Sequence, residues 1–184
     1  MNNLDMNENV KDVMYEAGLV LEGGGMRGLY TAGVLDYFID KGIYFRNCYG
    51  VSAGATQCCS YLSKQKGRAY RIFTKYINDK RYASLSNLIK EGNYFGKDFS
   101  LKKIPDELEP FDHDTFVGGG SNFYAVASNC KTGQPAYLKV EDTDTVFSLY
   151  GIVKREQQRE PAAFTEKESS QIAKRFYKSV HQFV

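Results

Sequence analysis

Two histidines and four cysteines are all the chain offers toward metal or disulfide chemistry. His113 and His181 lie far apart, and Cys48, Cys58, Cys59 and Cys130 show no CxxC spacing, so neither a zinc site nor any other metal site is expected. Adjacent cysteines seldom bridge each other. The four are read as reduced, mostly buried thiols of a cytoplasmic protein. No charge dominates either. Lys and Arg number 24 against 22 Asp and Glu, and the formal charge of +2 is too small and too mixed along the chain to call for nucleic acid. No apolar run approaches the roughly 18 residues that a membrane span needs. The opening MNNLDMNENVKDVMYEAG has no basic head and no apolar core, so it does not read as a signal peptide. Internal repeats and low-complexity tracts are also missing. What remains is an ordinary globular composition, 42% hydrophobic and 25% charged over 184 residues, enough for one domain with a real core.

Residues 1–17 are polar and expected to be a flexible lead-in to a single domain over 18–184. GLVLE (Gly18–Glu22) is a short apolar run closed by glycines and predicts a buried strand. Arg27–Lys41 predicts a helix with Leu29, Ala32, Leu35 and Ile39 on one face, Phe38 beside them, and Gly42 placed for a left-handed stop. Ile43–Tyr49 is β-branched and aromatic, a second strand, and Ala53–Ser63 a second helix. This βαβα order predicts a parallel sheet with right-handed crossovers. Arg68–Asn78 predicts a third helix with Tyr70, Phe73 and Ile77 as its stripe. Residues 80–120 read as loop-rich. Their aromatics, Tyr94, Phe95, Phe99, Phe111 and Phe116, are read with Tyr137 as core rather than as a lipid-facing mouth. NFYAVAS (Asn122–Ser128), the turn KTGQP and Ala136–Val140 predict a hairpin. Thr165–Phe183 predicts a C-terminal helix with a TxxE capping box and an apolar stripe of Ile172, Phe176, Val180 and Phe183.

Two glycine turns bracket the first helix. In GVSAG, Gly50, Ser52 and Gly54 match the GxSxG nucleophile elbow, with a strand before and a helix after. The glycines suit a sharp turn with an exposed hydroxyl, and Ser52 opens a helix whose free N–H groups favour developing negative charge. A tight strand–helix connection that happens to hold a serine would look the same. In GGGMRG, Gly23, Gly25 and Gly28 satisfy GxGxxG, which could be a dinucleotide phosphate turn. That fold wants an acid at the end of the next strand, and IYFRNCY supplies none. The other reading is an oxyanion hole, in which the uncovered backbone at Gly24 and Gly25 aims N–H groups at a carbonyl oxygen and glycine lets a substrate approach closely. Arg27 would add positive charge there, or simply tie the loop down with a surface salt bridge. Both turns fall at the carboxyl ends of strands, where open α/β sheets bind ligands.

EGGGMRGLYTAGVLDYFIDKGI followed by CYGVSAGA resembles the patatin-like phospholipases, bacterial members in particular. The resemblance is close from Gly18 to Ser60 and looser through the hairpin at 122–140. It implies a three-layer α/β fold with a mainly parallel central sheet flanked by helices. It also implies Ser52 as nucleophile, the Gly23–Gly28 turn as oxyanion hole, and a Ser–Asp dyad. The activity implied is hydrolysis of lipid acyl esters through an acyl-enzyme, without metal or cofactor; transient contact with a membrane surface is compatible with such a substrate and is left open by the sequence.

The family's aspartate stands in an Asp-Gly-Gly or Asp-Gly-Ala turn after the hairpin. None of the eleven aspartates here precedes a glycine. The segment carrying the dyad base is therefore expected to be missing, leaving the fold incomplete toward its C-terminus. Asp142 and Asp144 are the next candidates in order, but EDTDT reads as a solvated turn; His113 and His181 read as surface residues. Without a base a serine hydroxyl is a weak nucleophile, so the alternative to a hydrolase is an impaired relative that binds lipid or acyl groups. A shortened sheet would expose an edge or face. A homodimer, or cover by the C-terminal helix, would resolve that.

Overall fold

The structure is a computed structural model, and it describes residues 11–91, 96–129 and 132–141. The chain divides into two compact units, residues 1–146 and 147–184. Every described residue lies in the first. The predicted C-terminal helix, Asp142, Asp144, His181, Cys130, Tyr94 and Phe95 lie outside the described residues.

Four strands form one sheet in the order β1-β2-β3-β4. Strands β1 (Val13–Leu21), β2 (Ile43–Val51) and β3 (Asn122–Ser128) run parallel, and β4 (Pro135–Val140) returns antiparallel to β3. The hairpin predicted from NFYAVAS and KTGQP is present, with Gly133 at φ 70° in its turn. β1 starts at Val13, earlier than the expected Gly18. Its first residues pair with the start of β2, and the Val13 N–H donates to the Gly42 carbonyl at 2.7 Å. A bulge between Tyr15 and Gly18 breaks the alternation, which is why the early half reads as lead-in rather than strand.

The first helix, α1, spans Gly28–Asp40 after a single 3₁₀ turn at Gly25–Arg27, and Gly42 takes the left-handed φ of 60° that ends it. Gly28, Ala32 and Leu35 are its buried residues. The second, α2, spans Ala53–Leu62 and is buried along most of its length. Because β1, β2 and β3 advance in one direction across the sheet, right-handed crossovers put α1 and α2 on the same face. Their packing on each other and on β1, β2 and β3 agrees. Leu21, Cys48, Phe123 and Val140 point into that interface and are buried. On the opposite face Tyr49 stacks on Tyr124 at 5.1 Å and meets the edge of Tyr137 at 6.1 Å, while Val20 and Tyr137 stay largely exposed. Of the expected three layers, the described residues supply the mainly parallel sheet and one helical layer.

A third helix, α3 (Arg68–Lys75), buries Ala69 and Phe73, and Tyr76 follows in the same stripe. The expected stripe of Tyr70, Phe73 and Ile77 is corrected. Tyr70 and Ile77 are exposed, because the face that packs repeats through Ala69, Ile72, Phe73 and Tyr76. The region 80–120 holds more helix than expected: α4 (Leu85–Glu91), a wide π-type helix over Phe99–Leu108 and α5 (His113–Gly118). Pro105 inside the wide helix disguises it in the sequence. Phe99, Ile104 and Tyr76 form a small core there, and Phe116 packs edge-on against Phe123. Phe99 and Phe116 are thus core residues as expected, whereas Tyr137 is exposed. Among the described residues no helix is long and apolar enough to cross a membrane.

Candidate active site

β2 ends at Val51 and α2 begins at Ala53, so a single residue, Ser52, makes the turn. Its φ of 50° and ψ of −120° are unusual for a residue with a side chain; only Lys64 shares a positive φ among the described non-glycine residues. Such a conformation costs on the order of 1–3 kcal/mol and needs surrounding structure to hold it. Here the holding bonds come from the backbone. The Ser52 carbonyl accepts the N–H of Ala55 at 3.0 Å and of Thr56 at 3.4 Å, starting α2. The Ser52 side chain does not cap its own helix, as serine at this position commonly does. It is exposed, and its hydroxyl makes no hydrogen bond with any described residue.

The glycines around the turn are steric requirements. A Cβ on Gly50 would stand 2.5 Å from the Ala55 Cα. One on Gly54 would run into the Leu21 carbonyl oxygen and lie 2.7 Å from that of Glu22. Gly54 therefore seats α2 directly on the end of β1. Register does the rest. Leu21 pairs with Gly50, so β1 and β2 finish level and their turns leave the same edge of the sheet. A Cβ on Gly23 would approach the Ser52 Cβ at 3.1 Å and the Val51 carbonyl oxygen at 3.3 Å. The two glycine turns lie so close that there is little room for a side chain at Gly23.

The rest of the first turn is closed by its own backbone. The Arg27 N–H donates to the Gly24 carbonyl at 3.1 Å, and the Gly28 N–H to the carbonyls of Gly25 and Met26. Gly25 takes a φ of 52° and has open space where a side chain would be. As at any helix start, the leading N–H groups lack partners one turn back, and no hydrogen bond from the Gly24 or Gly25 amide forms among the described residues. Met26 and Arg27 are exposed, and Arg27 forms no ion pair among the described residues; its guanidinium lies along Gly24 instead. Gly28 is buried against Gln57, whose side-chain Nε2 donates to the Gly28 carbonyl at 2.8 Å. Gln57 belongs to no motif of the sequence. Its signal is a lone amide on a helix otherwise lined with small and apolar residues.

Along β2 and α2 lie buried thiols and phenols that are poor competitors for chemistry. Burial pushes the Cys59 thiol up to about 12, against a smaller opposing effect of Arg68. Burial also raises Cys58, helped by its contact with Cys48. Cys48, Cys58 and Cys59 are free and buried, in line with the reduced thiols expected. Tyr44 stacks on Tyr61 at 5.3 Å, and burial raises both phenols, Tyr44 to about 12. His113 opens α5 and sets its ring edge against Phe111 at 5.1 Å. No carboxylate of the described residues hydrogen-bonds Ser52, and no metal-binding cluster is found among them.

A mainly parallel sheet that presents an uncapped serine on a strained strand–helix elbow, with a glycine turn close beside it, defines an α/β protein with a GxSxG elbow. The chain belongs to the patatin-like phospholipase family, whose model matches residues 19–171. That membership displaces the dinucleotide reading of GGGMRG. Among curated proteins the chain is similar to the uncharacterized protein YjjU of Escherichia coli K12, 30% identical over 124 residues. The matched stretch covers 65% of this chain and 34% of YjjU, so the chain spans about a third of that relative. No solved structure matches.

Proposed function

We propose that the protein is a patatin-like serine acyl hydrolase acting on lipid acyl esters, with Ser52 as nucleophile. The observation that carries this is the close approach of the Gly23 turn to an exposed, strained Ser52. In this reading the Ser52 Oγ adds to the ester carbonyl carbon. The negative charge that develops on the carbonyl oxygen is met by amides of Gly24 and Gly25 and by the N-terminal end of α2. Collapse expels the alcohol and leaves an acyl-serine, which water then hydrolyses to free acid and Ser52. Gly23 and Gly28 shape the turn, Gly50 and Gly54 shape the elbow, and the exposed Met26 and Arg27 border its mouth. In a Ser–Asp dyad a carboxylate takes the serine proton; Asp142 and Asp144, which follow β4 in the sequence, are the candidates and lie outside the described residues.

A fluorophosphonate probe tests the reading. The folded wild type is expected to be labelled at Ser52, and Ser52→Ala to lose labelling completely. A folded wild type that stays unlabelled would remove the activated serine. Binding of phospholipid vesicles by such an unlabelled protein, without release of fatty acid, would then favour a lipid-binding relative.

A further inference from the structure

Gln57 is 1% exposed and stands on the helix that Ser52 opens. Its Nε2 donates to the Gly28 carbonyl at 2.8 Å, a buried bond between α2 and the first residue of α1. Its Oε1 is buried too and has no hydrogen-bond partner. A buried amide with an orphan acceptor is a costly way to fill a core. An apolar side chain of equal length would occupy the same space without that cost, so packing does not account for the amide. The donor half faces a residue with a particular place. Gly28 is where the glycine turn ends, and its own N–H closes that turn onto the carbonyls of Gly25 and Met26. A Cβ at Gly28 would overlap the Gln57 Nε2, so the glycine is fitted to this bond as well.

We infer that Gln57 is a positioning residue. It ties the helix rooted at Ser52 to the end of the Gly23–Gly28 turn, and so sets where the turn's amides stand relative to the serine hydroxyl. The inference rests on the hydrolase reading above. It acts through the turn and touches no reacting atom. Its value to chemistry is alignment, since a misplacement of about 1 Å can cost about 100-fold in rate.

The test is the second-order rate constant for phosphonylation of Ser52 in the full chain, measured beside thermal stability. In that reaction the Ser52 Oγ bonds to phosphorus as fluoride leaves, the hydroxyl proton passes to solvent, and the phosphoryl oxygen stands in for the acyl oxygen. Gln57→Met keeps the length of the side chain and deletes both amide heteroatoms, the orphan included. The expected result is a Tm equal to or above wild type with labelling slowed about ten- to a hundred-fold. A purely structural residue would move Tm and leave the labelling rate of the folded fraction alone. Gln57→Leu serves as the second variant if the methionine form does not fold. Either variant, folded and labelled at the wild-type rate, overturns the inference. Failure of both to fold assigns Gln57 to packing and overturns it too. An unlabelled wild type is a different result, because it overturns the hydrolase reading itself.

Discussion

Ser52 carries its cost in the backbone. At φ 50° the side chain is strained whether it ends in a hydroxyl or a methyl, and only glycine is at ease there. Two substitutions separate strain from chemistry. Ser52→Ala is expected to leave stability within about 0.5 kcal/mol of wild type, whereas Ser52→Gly is expected to raise it by about 1 kcal/mol in urea unfolding. Both remove the hydroxyl, so a gain confined to the glycine variant identifies stored backbone strain. The strand–helix turn at this residue was legible from GxSxG and its flanking apolar runs. Gln57 was not, because a partner for its amide lies 29 positions away in the chain and no local pattern announces it.

At the scale of elements, the turns are held by close backbone approach rather than by side chains. Gly54→Ala would force its methyl into the Leu21 and Glu22 carbonyl oxygens, atoms that cannot swing aside. A loss of about 2–3 kcal/mol is expected from chemical denaturation. Gly33→Ala is the contrast. That position is exposed in α1 with nothing within 4 Å of the new methyl, and helix propensity favours alanine by up to about 1 kcal/mol. A loss at position 33 like that at position 54 would rule out close approach as the cause. The order of strands and helices up to α2 followed from apolar runs and glycine stops. Their limits did not. β1 gained its early half through pairing with β2 across a bulge, and the wide helix at Phe99–Leu108 follows no α-helical period.

For the molecule as a whole, the two faces of the sheet behave differently. Leu21 is 5% exposed under α2 and Val20, its neighbour in the same strand, is 69% exposed. Leu21→Ala is expected to cost about 2–5 kcal/mol and Val20→Thr no more than about 0.5 kcal/mol, read from urea midpoints. Away from the sheet, α3 is fastened to the segment beyond the wide helix. The Arg68 guanidinium is buried, bonds the Glu109 carbonyl oxygen at 3.0 and 2.9 Å, and lies over the Phe111 ring. The Glu109 carboxylate accepts from Arg71 at 2.9 Å and from Lys75 at 3.5 Å. Burial works to raise the Glu109 pKa, but Arg71 and Lys75 prevail and hold it below 4.5. The stability this contributes is full above the unfolded carboxyl value and is lost as pH falls through the lower folded one. Glu109→Gln is therefore expected to flatten the fall of stability below about pH 4.5, seen in urea midpoints measured across that range. An unchanged slope would show that Glu109 does not titrate with folding.

The sequence by itself determined the local pieces: a strand, a glycine turn, a helix, a second strand and a serine elbow, each specified by residues close together in the chain. It also carried the family in the pairing of GGGMRG with GVSAG. Only the tertiary structure decided that these turns meet, because the nearness of Gly23 to Ser52 depends on the register that sets Leu21 beside Gly50 and on Gly54 seating α2 against the end of β1. Register and close approach are properties of two segments at once, and neither segment records them alone.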